Sequence, residues 1–229
     1  MKTLGLIGGT SWHSTVDYYR LINKLVNERL GGLHSARLIL YSVNFHEFYN
    51  NNQEEGWPGS ERYVSNIAKT LEAAGAEGLI FCANTPHMVA DAVQAAINIP
   101  LIHIAEATAA EIQKAKLTRV ALLGTVFTME QPFYKDILAK HGIETVVPEK
   151  AARDWIHNTI FEELGLGIFK PETKAEYLRI MHTMKEQGVE GVILGCTEIP
   201  MLVKPEECPL PAFDTIEIHA KAAVEWMLG

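Results

Sequence analysis

The sequence predicts an α/β fold in which two pseudo-twofold-related lobes each contain a roughly four-stranded parallel sheet flanked by helices. Three observations support this prediction. Short apolar runs alternate with longer stretches of helical spacing, which is typical of parallel sheets. Each half begins with an apolar run followed by Gly and Thr, and each contains a later apolar run that leads to Cys. The intervals from Gly9 to Cys82 and from Gly124 to Cys196 differ by one residue, which indicates an internal repeat.

The first half contains four predicted strands joined by helices. The strands are apolar runs at 4–7, 36–43, 78–81 and 100–104, and the helices have amphipathic spacing at 15–30, 60–74, 88–97 and 105–115. Gly31 and Gly75 follow the first two helices, as glycines commonly do. Residues 44–59 are polar and rich in turn-forming residues, so we expect a loop with one short helix. Pro86 has the fixed φ that suits a first helical turn, so we expect a helix to begin beside it.

The second half repeats this order. Its predicted strands lie at 119–123, 142–147, 189–194 and 210–213, and its predicted helices at 133–140, 151–164, 174–187 and 215–227. No segment rich in Pro, Gly or Ser separates the halves, so we expect two tightly packed lobes. The predicted boundaries are 1–103 plus 214–229 for the first lobe and 104–213 for the second.

Composition excludes several classes of protein. The chain has 229 residues, of which 48% are hydrophobic and 21% charged, so it is not intrinsically disordered. Its formal charge of −8 argues against nucleic acid and anionic membranes as partners. No apolar run approaches the ~18 residues of a membrane span, and the N-terminus is typical of a first strand and not of a signal peptide. Three cysteines without a paired spacing make a disulfide framework unexpected and predict a reducing cytoplasm.

Cys82 and Cys196 are the candidate catalytic residues. A single thiol at the end of an apolar strand is usually a small buried hydrophobic group. These two, however, occupy matching repeat positions at the strand ends where parallel sheets bind ligands. We expect helix N-termini there to lower the pKa of both thiols. Zinc would need further ligands at close spacing, and neither a redox motif nor a dinucleotide-binding motif is present, so we expect no metal and no cofactor. Two opposed thiols suit racemisation, since one removes a proton from a carbon and the other returns one to the opposite face.

Polar residues flank both thiols. Asn84, Thr85 and Thr197 supply donors for a carboxylate and for an enediolate, although the threonines also suit helix N-caps. Thr10 and Thr125 follow the first strand of each half and are weaker candidates for the same role. Glu198 and His87 are possible charge partners of the thiols, and each also suits an exposed position at a helix start. Cys208 lies in a loop-like run and is expected to be uninvolved.

Four segments resemble the aspartate/glutamate racemase family, the cofactor-independent racemases with two catalytic cysteines. They are Gly8-Gly9-Thr10-Ser11-Trp12, Cys82-Ala83-Asn84-Thr85, Leu123-Gly124-Thr125 and Gly195-Cys196-Thr197-Glu198-Ile199-Pro200. The segments are similar to the aspartate racemase branch. The resemblance implies two lobes, a C-terminal helix that packs on the first lobe, a homodimer, and an amino-acid substrate. It also implies that Cys82 and Cys196 form the acid/base pair and that Asn84, Thr85 and Thr197 bind the α-carboxylate, with Ala83 beside them.

The sequence departs from this family where a side-chain carboxylate would bind. Basic residues are common in the loop after the second strand and near Ile156, but 44–59 contains neither Lys nor Arg, and Trp155 stands where Lys is common. Arg153 and the amide-rich run 50–53, which includes Asn52, are the remaining candidates. Aspartate and glutamate are the leading predicted substrates, and a broad set of neutral or polar amino acids is the alternative. The sequence also leaves open a related isomerase or decarboxylase acting on a different carbon acid, and a binding protein that has lost turnover.

Overall fold

The computed structural model describes residues 1–229, except for the side chains of Tyr49 and Asn51. By its contacts the chain forms two compact units, which we call the first unit (Met1–His103 with His219–Gly229) and the second unit (Ile104–Ile218). The predicted class is confirmed, since each unit contains a parallel sheet flanked by helices. None of the described helices is both long and apolar enough to span a membrane.

The first unit has a three-stranded parallel sheet in the order β2-β1-β3. Its elements are β1 (Leu4–Gly8), α1 (Trp12–Leu30), β2 (Leu38–Ser42), α2 (Phe45–Ala73), β3 (Gly78–Phe81), a 3-10 helix (Thr85–Val89) and α3 (Ala90–Ala96). Leu4 pairs with Leu38 on one side and with Gly78 on the other. The fourth strand predicted at 100–104 is reduced to a single bridge between Leu79 and Leu101.

The second unit has a four-stranded parallel sheet in the order β5-β4-β6-β7. Its elements are α4 (Ile104–Lys114), β4 (Arg119–Leu123), α5 (Val126–Glu130), α6 (Pro132–Lys140), β5 (Glu144–Val146), α7 (Lys150–Glu162), α8 (Pro171–Glu186), β6 (Gly191–Leu194), α9 (Ile199–Leu202), β7 (Ala212–Asp214) and the start of α10 (Thr215–Leu228), with 3-10 turns at Leu164–Leu166 and Pro205–Glu207. The order second-first-third is shared with the first sheet, as the repeat predicts.

Apolar side chains cover both faces of the second sheet. Along β4, Ala121 and Leu123 belong to one core cluster, whereas Val120 and Leu122 belong to another. Successive side chains of a strand point to opposite faces, so this alternation means that the sheet is buried on both sides. The strands are thereby fixed, and only their carboxyl ends remain available for polar chemistry.

Residues 44–59 are the largest difference from the sequence prediction, because they form the first part of α2 and not a loop. Asn44 caps this helix, since its side chain accepts from the backbone N–H of His46. Phe48 is buried in the first unit's core, which stabilises the helix despite its polar composition. The turn-forming residues of this segment interrupt the helix only at Gly56, which has a positive φ of 65°.

The last helix begins in the second unit and ends in the first. The sequence predicts that the chain returns to the first lobe at residue 214, whereas the first unit resumes at His219 in the structure. Thr215 Oγ1 donates to the Leu194 carbonyl at 2.9 Å, which holds the start of α10 in the second unit. Near its end, the Met227 carbonyl accepts from the Lys2 backbone N–H at 2.9 Å, which joins α10 to the chain start.

Candidate active site

Cys82 directly follows β3 and is completely buried. Its backbone N–H donates to the Ile7 carbonyl at 2.9 Å, which continues the pairing of β1 with β3. Its carbonyl accepts a hydrogen bond from the Ser14 hydroxyl on α1. Burial raises the pKa of the Cys82 thiol well above its usual range, so the thiol is neutral. The helix-dipole prediction is therefore wrong for the direction of this pKa, because desolvation dominates.

The glycine-rich loop after β1 lies beside Cys82. Gly9 has a φ of +91°, and a Cβ there would collide with the backbone of Val43, so only glycine suits the position. Its N–H donates to Thr15 Oγ1 at 2.9 Å, and that hydroxyl donates to the Ser11 carbonyl at 2.8 Å. The adjoining Thr10 Oγ1 is buried and has no hydrogen-bond partner among the described residues. Such a group is costly to bury unpaired, so Thr10 suits contact with a ligand.

The other site residues predicted in the first unit lie in two segments, the turn after Cys82 and the helix α2. Ala83, Asn84 and Thr85 lie in the segment after Cys82, in which Asn84 is buried. His87 is also buried and not exposed, and its Nδ1 lies 3.1 Å from the carbonyl oxygens of Ala83 and Asn84. Asn52 lies on α2, and its amide donates to the fully buried Ser60 Oγ at 3.2 Å. The amide-rich run also includes Asn51, whose side chain lies outside the described residues.

In the second unit, Cys196 and Glu198 are in direct contact. Cys196 Sγ donates to Glu198 Oε2 at 3.0 Å, and Thr197 Oγ1 donates to the same oxygen at 2.7 Å. All three residues are buried. Desolvation, followed by the negative charge of Glu198, raises the pKa of the Cys196 thiol well above its usual value. Backbone N–H groups of Thr197 and Glu198 lower that pKa, as the sequence predicts, but their effect is smaller.

Two glycines bring Thr125 close to the Cys196 segment. A Cβ on Gly124 would lie 2.8 Å from the Gly195 carbonyl oxygen, and a Cβ on Gly195 would lie 2.8 Å from the Leu123 carbonyl oxygen. Both distances are too short for any other residue without a backbone shift. The ends of β4 and β6 are therefore in contact. This brings Thr125, which follows β4, close to Cys196, which follows β6. Thr125 caps α5, since its Oγ1 accepts from the Thr128 N–H at 3.2 Å.

Arg153 is engaged in contacts of its own unit. Its Nε donates to Glu130 Oε1 at 2.9 Å, and its Nη1 donates to the Pro148 carbonyl at 2.7 Å. Its side chain is 21% exposed. Trp155 is partly buried against the core cluster that contains Cys196, with its ring centroid 5.3 Å from that of Tyr177.

Two polar residues next to these segments were not among the sequence-predicted site residues. Ser14 lies just before the first predicted helix; its spacing from Ser11 indicates a helix cap, and its N–H does donate to Ser11 Oγ, but nothing predicts its bond to Cys82. His157 Nδ1 accepts from the Val126 N–H at 3.2 Å and so fixes the start of α5 beside Thr125. No sequence signal joins His157 to Val126, because the packing of α7 sets this contact.

The described residues contain no group of His, Cys, Asp or Glu that is arranged to hold a metal ion.

Comparisons with known proteins agree on one family. A family model described as Asp/Glu/Hydantoin racemase matches residues 7–223. A solved structure of a candidate Asp/Glu racemase from Yersinia pestis is 47% identical, with a TM-score of 0.95 and 100% of both chains covered. An aspartate racemase homologue from Pyrococcus horikoshii OT3 is 41% identical, with a TM-score of 0.88 and 100% of both chains covered. The broad specificity amino-acid racemase RacX from Bacillus subtilis (strain 168) is 26% identical over 173 residues, which are 74% of this chain and 73% of that protein.

Proposed function

The chain belongs to the Asp/Glu/hydantoin racemase family, and from this premise we propose that it interconverts amino-acid enantiomers with Cys82 and Cys196 as a two-base pair. Racemases are isomerases, so the protein is an enzyme of that class. The observation that supports the two-base proposal is the repetition within the chain. Each unit ends a core strand in a buried thiol, and in each unit hydroxyl-bearing residues and a short helix follow that thiol.

The proposed reaction inverts Cα through one proton transfer on each face. The thiolate of one cysteine removes the Cα proton, and the thiol of the other donates its own proton to the opposite face. The substrate therefore exchanges its proton for one from the enzyme, and the roles of the two sulfurs are exchanged after each turnover. This scheme needs one sulfur on each face of Cα, as the repeat predicts. No cofactor is required in it.

Burial of the thiols serves this chemistry. A Cα proton is a weak acid, so the base that removes it has to be strong. A thiolate with a raised pKa is a stronger base than a free thiolate, and a buried site also keeps water from competing for the proton. At Cys196, Glu198 Oε2 already accepts a hydrogen bond from Sγ and is placed to take that proton when substrate binds. Glu198 is thus the proposed partner that converts the Cys196 thiol to its thiolate.

The α-carboxylate is proposed to bind at the two strand ends. Asn84, Thr85 and Thr197 remain the proposed donors, with the backbone of Ala83 beside them. Thr10 supports this proposal, since its hydroxyl is buried without a partner among the described residues. Thr125 supports it less, because its hydroxyl already caps α5. Donors at these positions would also stabilise the enediolate that forms when the Cα proton leaves.

Two substrate classes remain as candidates. The family supports aspartate and glutamate. The contacts of Arg153 favour neutral or polar amino acids, because its guanidinium already pairs with Glu130 and with a backbone carbonyl. A second carboxylate left without a charged partner in a buried site costs several kcal/mol. The geometry therefore favours the broader set of substrates, and acidic amino acids are the alternative.

A panel of L-amino acids assayed for the D product separates these classes. We expect neutral and polar substrates to be converted faster than aspartate and glutamate. We also expect Arg153→Ala to change all rates by the same small factor, since it would act only through the Glu130 contact. Arg179→Ala, at an exposed arginine paired with Glu176, is the matched control. A selective loss of aspartate and glutamate turnover in Arg153→Ala alone would restore the acidic substrates as the lead.

The setting of the enzyme is also a proposal. We place it in a reducing cytoplasm, because its three cysteines are free thiols and the proposed reaction needs both catalytic thiols reduced. A homodimer is proposed from the family likeness. Buffer containing a simple thiol reductant should therefore suffice for activity.

A further inference from the structure

Four aromatic rings meet in the interior of the first unit. They are the imidazole rings of His87, His103 and His219, together with Tyr18, and we call the four residues the imidazole cluster. The ring centroid of His87 lies 4.5 Å from that of His103 and 5.6 Å from that of His219. Tyr18 Oη lies 2.9 Å from His219 Nδ1. His87, His219 and Tyr18 are fully or almost fully buried, and His103 is partly buried.

Hydrogen bonds indicate which nitrogen carries a proton in two of these histidines. His87 Nδ1 is directed at the carbonyls of Ala83 and Asn84, so Nδ1 carries the proton. His219 Nε2 donates to the Ile102 carbonyl at 2.8 Å, which leaves Nδ1 to accept from the Tyr18 hydroxyl. Each ring therefore fits its contacts as a neutral tautomer. If Nδ1 of His219 also carried a proton, that proton would face the hydroxyl hydrogen of Tyr18 and the hydrogen bond between them would be lost.

We propose that His87 is a positioning residue that holds the turn 83–87 behind Cys82 only while its own ring is neutral, so that acid opens this turn. His87 lies at the end of the turn and bonds to its first two carbonyls, which closes it on itself. Its backbone N–H adds a third bond, to the Asn84 carbonyl at 3.0 Å. Release of this one ring therefore loosens the segment that directly follows the buried thiol.

Burial and the neighbouring imidazoles oppose protonation of the cluster. Burial lowers the pKa of His87 well below its usual value, His103 and His219 lower it further, and the bonds to the two carbonyls offset only part of this shift. Burial lowers the pKa of His219 to about 4, and His103 acts in the same direction. On the side of β3, His87 packs against the apolar ring of Phe81, whose centroid lies 4.9 Å from that of His87. From α1, the Tyr18 hydroxyl contacts His219.

α10 carries charged residues on both sides of His219. Glu217 and Lys221, which flank His219 by two positions, are exposed. A histidine that stays neutral when folded and titrates near pH 6.5 when released makes the released state more favourable as the pH falls. For one such group the equilibrium shifts tenfold per pH unit, from about pH 6.5 down to the folded pKa. The closed turn therefore loses stability progressively as the pH falls below about 6.5.

The reaction of Cys82 with 4,4′-dithiodipyridine tests this proposal, because that reagent still reacts with thiols in acid. The rate at each cysteine is measured by peptide mass spectrometry and divided by the rate of free cysteine at the same pH. Between about pH 6.5 and 5 we expect the corrected rate at Cys82 to rise about tenfold per pH unit. The corrected rate at Cys196, in the other unit, should stay nearly constant.

Two variants identify the titrating groups. In His87→Gln, which cannot be protonated, the corrected Cys82 rate should lose its dependence on pH. In His219→Gln the amide can still donate to Ile102 and accept from Tyr18, and the rise should level off at a higher pH because His219 no longer lowers the pKa of His87. His182→Gln, at an exposed histidine of α8, is the matched control and should behave as the unaltered protein does.

Three results would overturn the proposal. They are a corrected Cys82 rate that is flat between about pH 7 and 5, a parallel rise at Cys82 and Cys196, which indicates global unfolding, and a rise that persists in His87→Gln. If His87→Gln fails to fold, His219→Gln with an unshifted profile overturns it equally. The proposal rests on the proposed function only for the importance of Cys82. The thiol reaction needs no turnover, so an inactive protein with the expected profile would contradict the proposed function and not this one.

Discussion

Replacing either catalytic thiol with a hydroxyl is expected to reduce racemisation by about 100- to 10,000-fold, the range that general acid–base groups contribute. Cys82→Ser and Cys196→Ser each keep the approximate size of the side chain, but a serine hydroxyl is far too weak an acid and too unstable an anion to exchange a Cα proton. Each variant blocks one face, so both directions of the reaction should fail together. The measurement is the rate of D-product formation from L-substrate and of the reverse.

Stability and a third thiol provide the controls. Both cysteines are buried, so the thermal midpoint of each variant has to be compared with that of the unaltered protein before the activity is interpreted. Cys208 is partly exposed, and its Sγ lies 3.6 Å from the Lys204 carbonyl oxygen. Cys208→Ser should retain full activity. Near-normal turnover in either catalytic variant would exclude the two-base scheme.

Glu198→Gln is expected to give the second largest loss, roughly 100-fold in kcat with a small change in KM, since a proton acceptor acts in the chemical step. The amide preserves the shape of Glu198 and removes its charge. In the structure the Glu198 carboxylate accepts a hydrogen bond from Cys196 Sγ, and its negative charge raises the pKa of the thiol. Without the carboxylate, the Cys196 proton loses its proposed acceptor.

An alkylation assay distinguishes this role from a structural one. Because the Glu198 charge raises the pKa of Cys196, its removal should lower that pKa and make alkylation of Cys196 near pH 8 faster while turnover becomes slower. Glu206→Gln, at an exposed carboxylate of the nearby 3-10 turn, is the control and should change neither rate. Unchanged turnover in Glu198→Gln, or slower alkylation of Cys196, would contradict the assigned role.

The order of the sheets could be predicted because the sequence repeats its own pattern. Apolar runs followed by Gly-Thr or leading to Cys define β1, β3, β4 and β6, and these are the strands that position the thiols. The family is also recognisable from these segments, and the family match confirms it. Patterns of this kind are local, so a single sequence contains them in full.

Two elements could not be predicted because tertiary contacts decide them. The polar start of α2 forms a helix since Phe48 is buried in the core, which the run of Asn and Glu around it conceals. The apolar segment at 100–104 has the composition of a strand, but only Leu101 pairs with the sheet. Propensity is a weak guide where packing determines the outcome.

The electrostatics of the site were the least predictable part. Short helices after Cys82 and Cys196 predict lowered thiol pKa values, yet burial raises the pKa of both thiols. The extent of burial depends on side chains from distant parts of the chain. For the same reason the partners of Arg153 lie beyond sequence reasoning, because Glu130 is on a different helix and the Pro148 carbonyl is a backbone group.

The source of the proton that appears at Cα tests the central claim most directly. The reaction is started with protiated L-substrate in D₂O, stopped while only a small fraction is converted, and both enantiomers are isolated for mass spectrometry. Two opposed thiols predict that the D product carries one deuterium at Cα from its first formation, while the recovered L-substrate carries almost none. A single base that serves both faces would return the original proton, so D product that retains its protium would contradict the account.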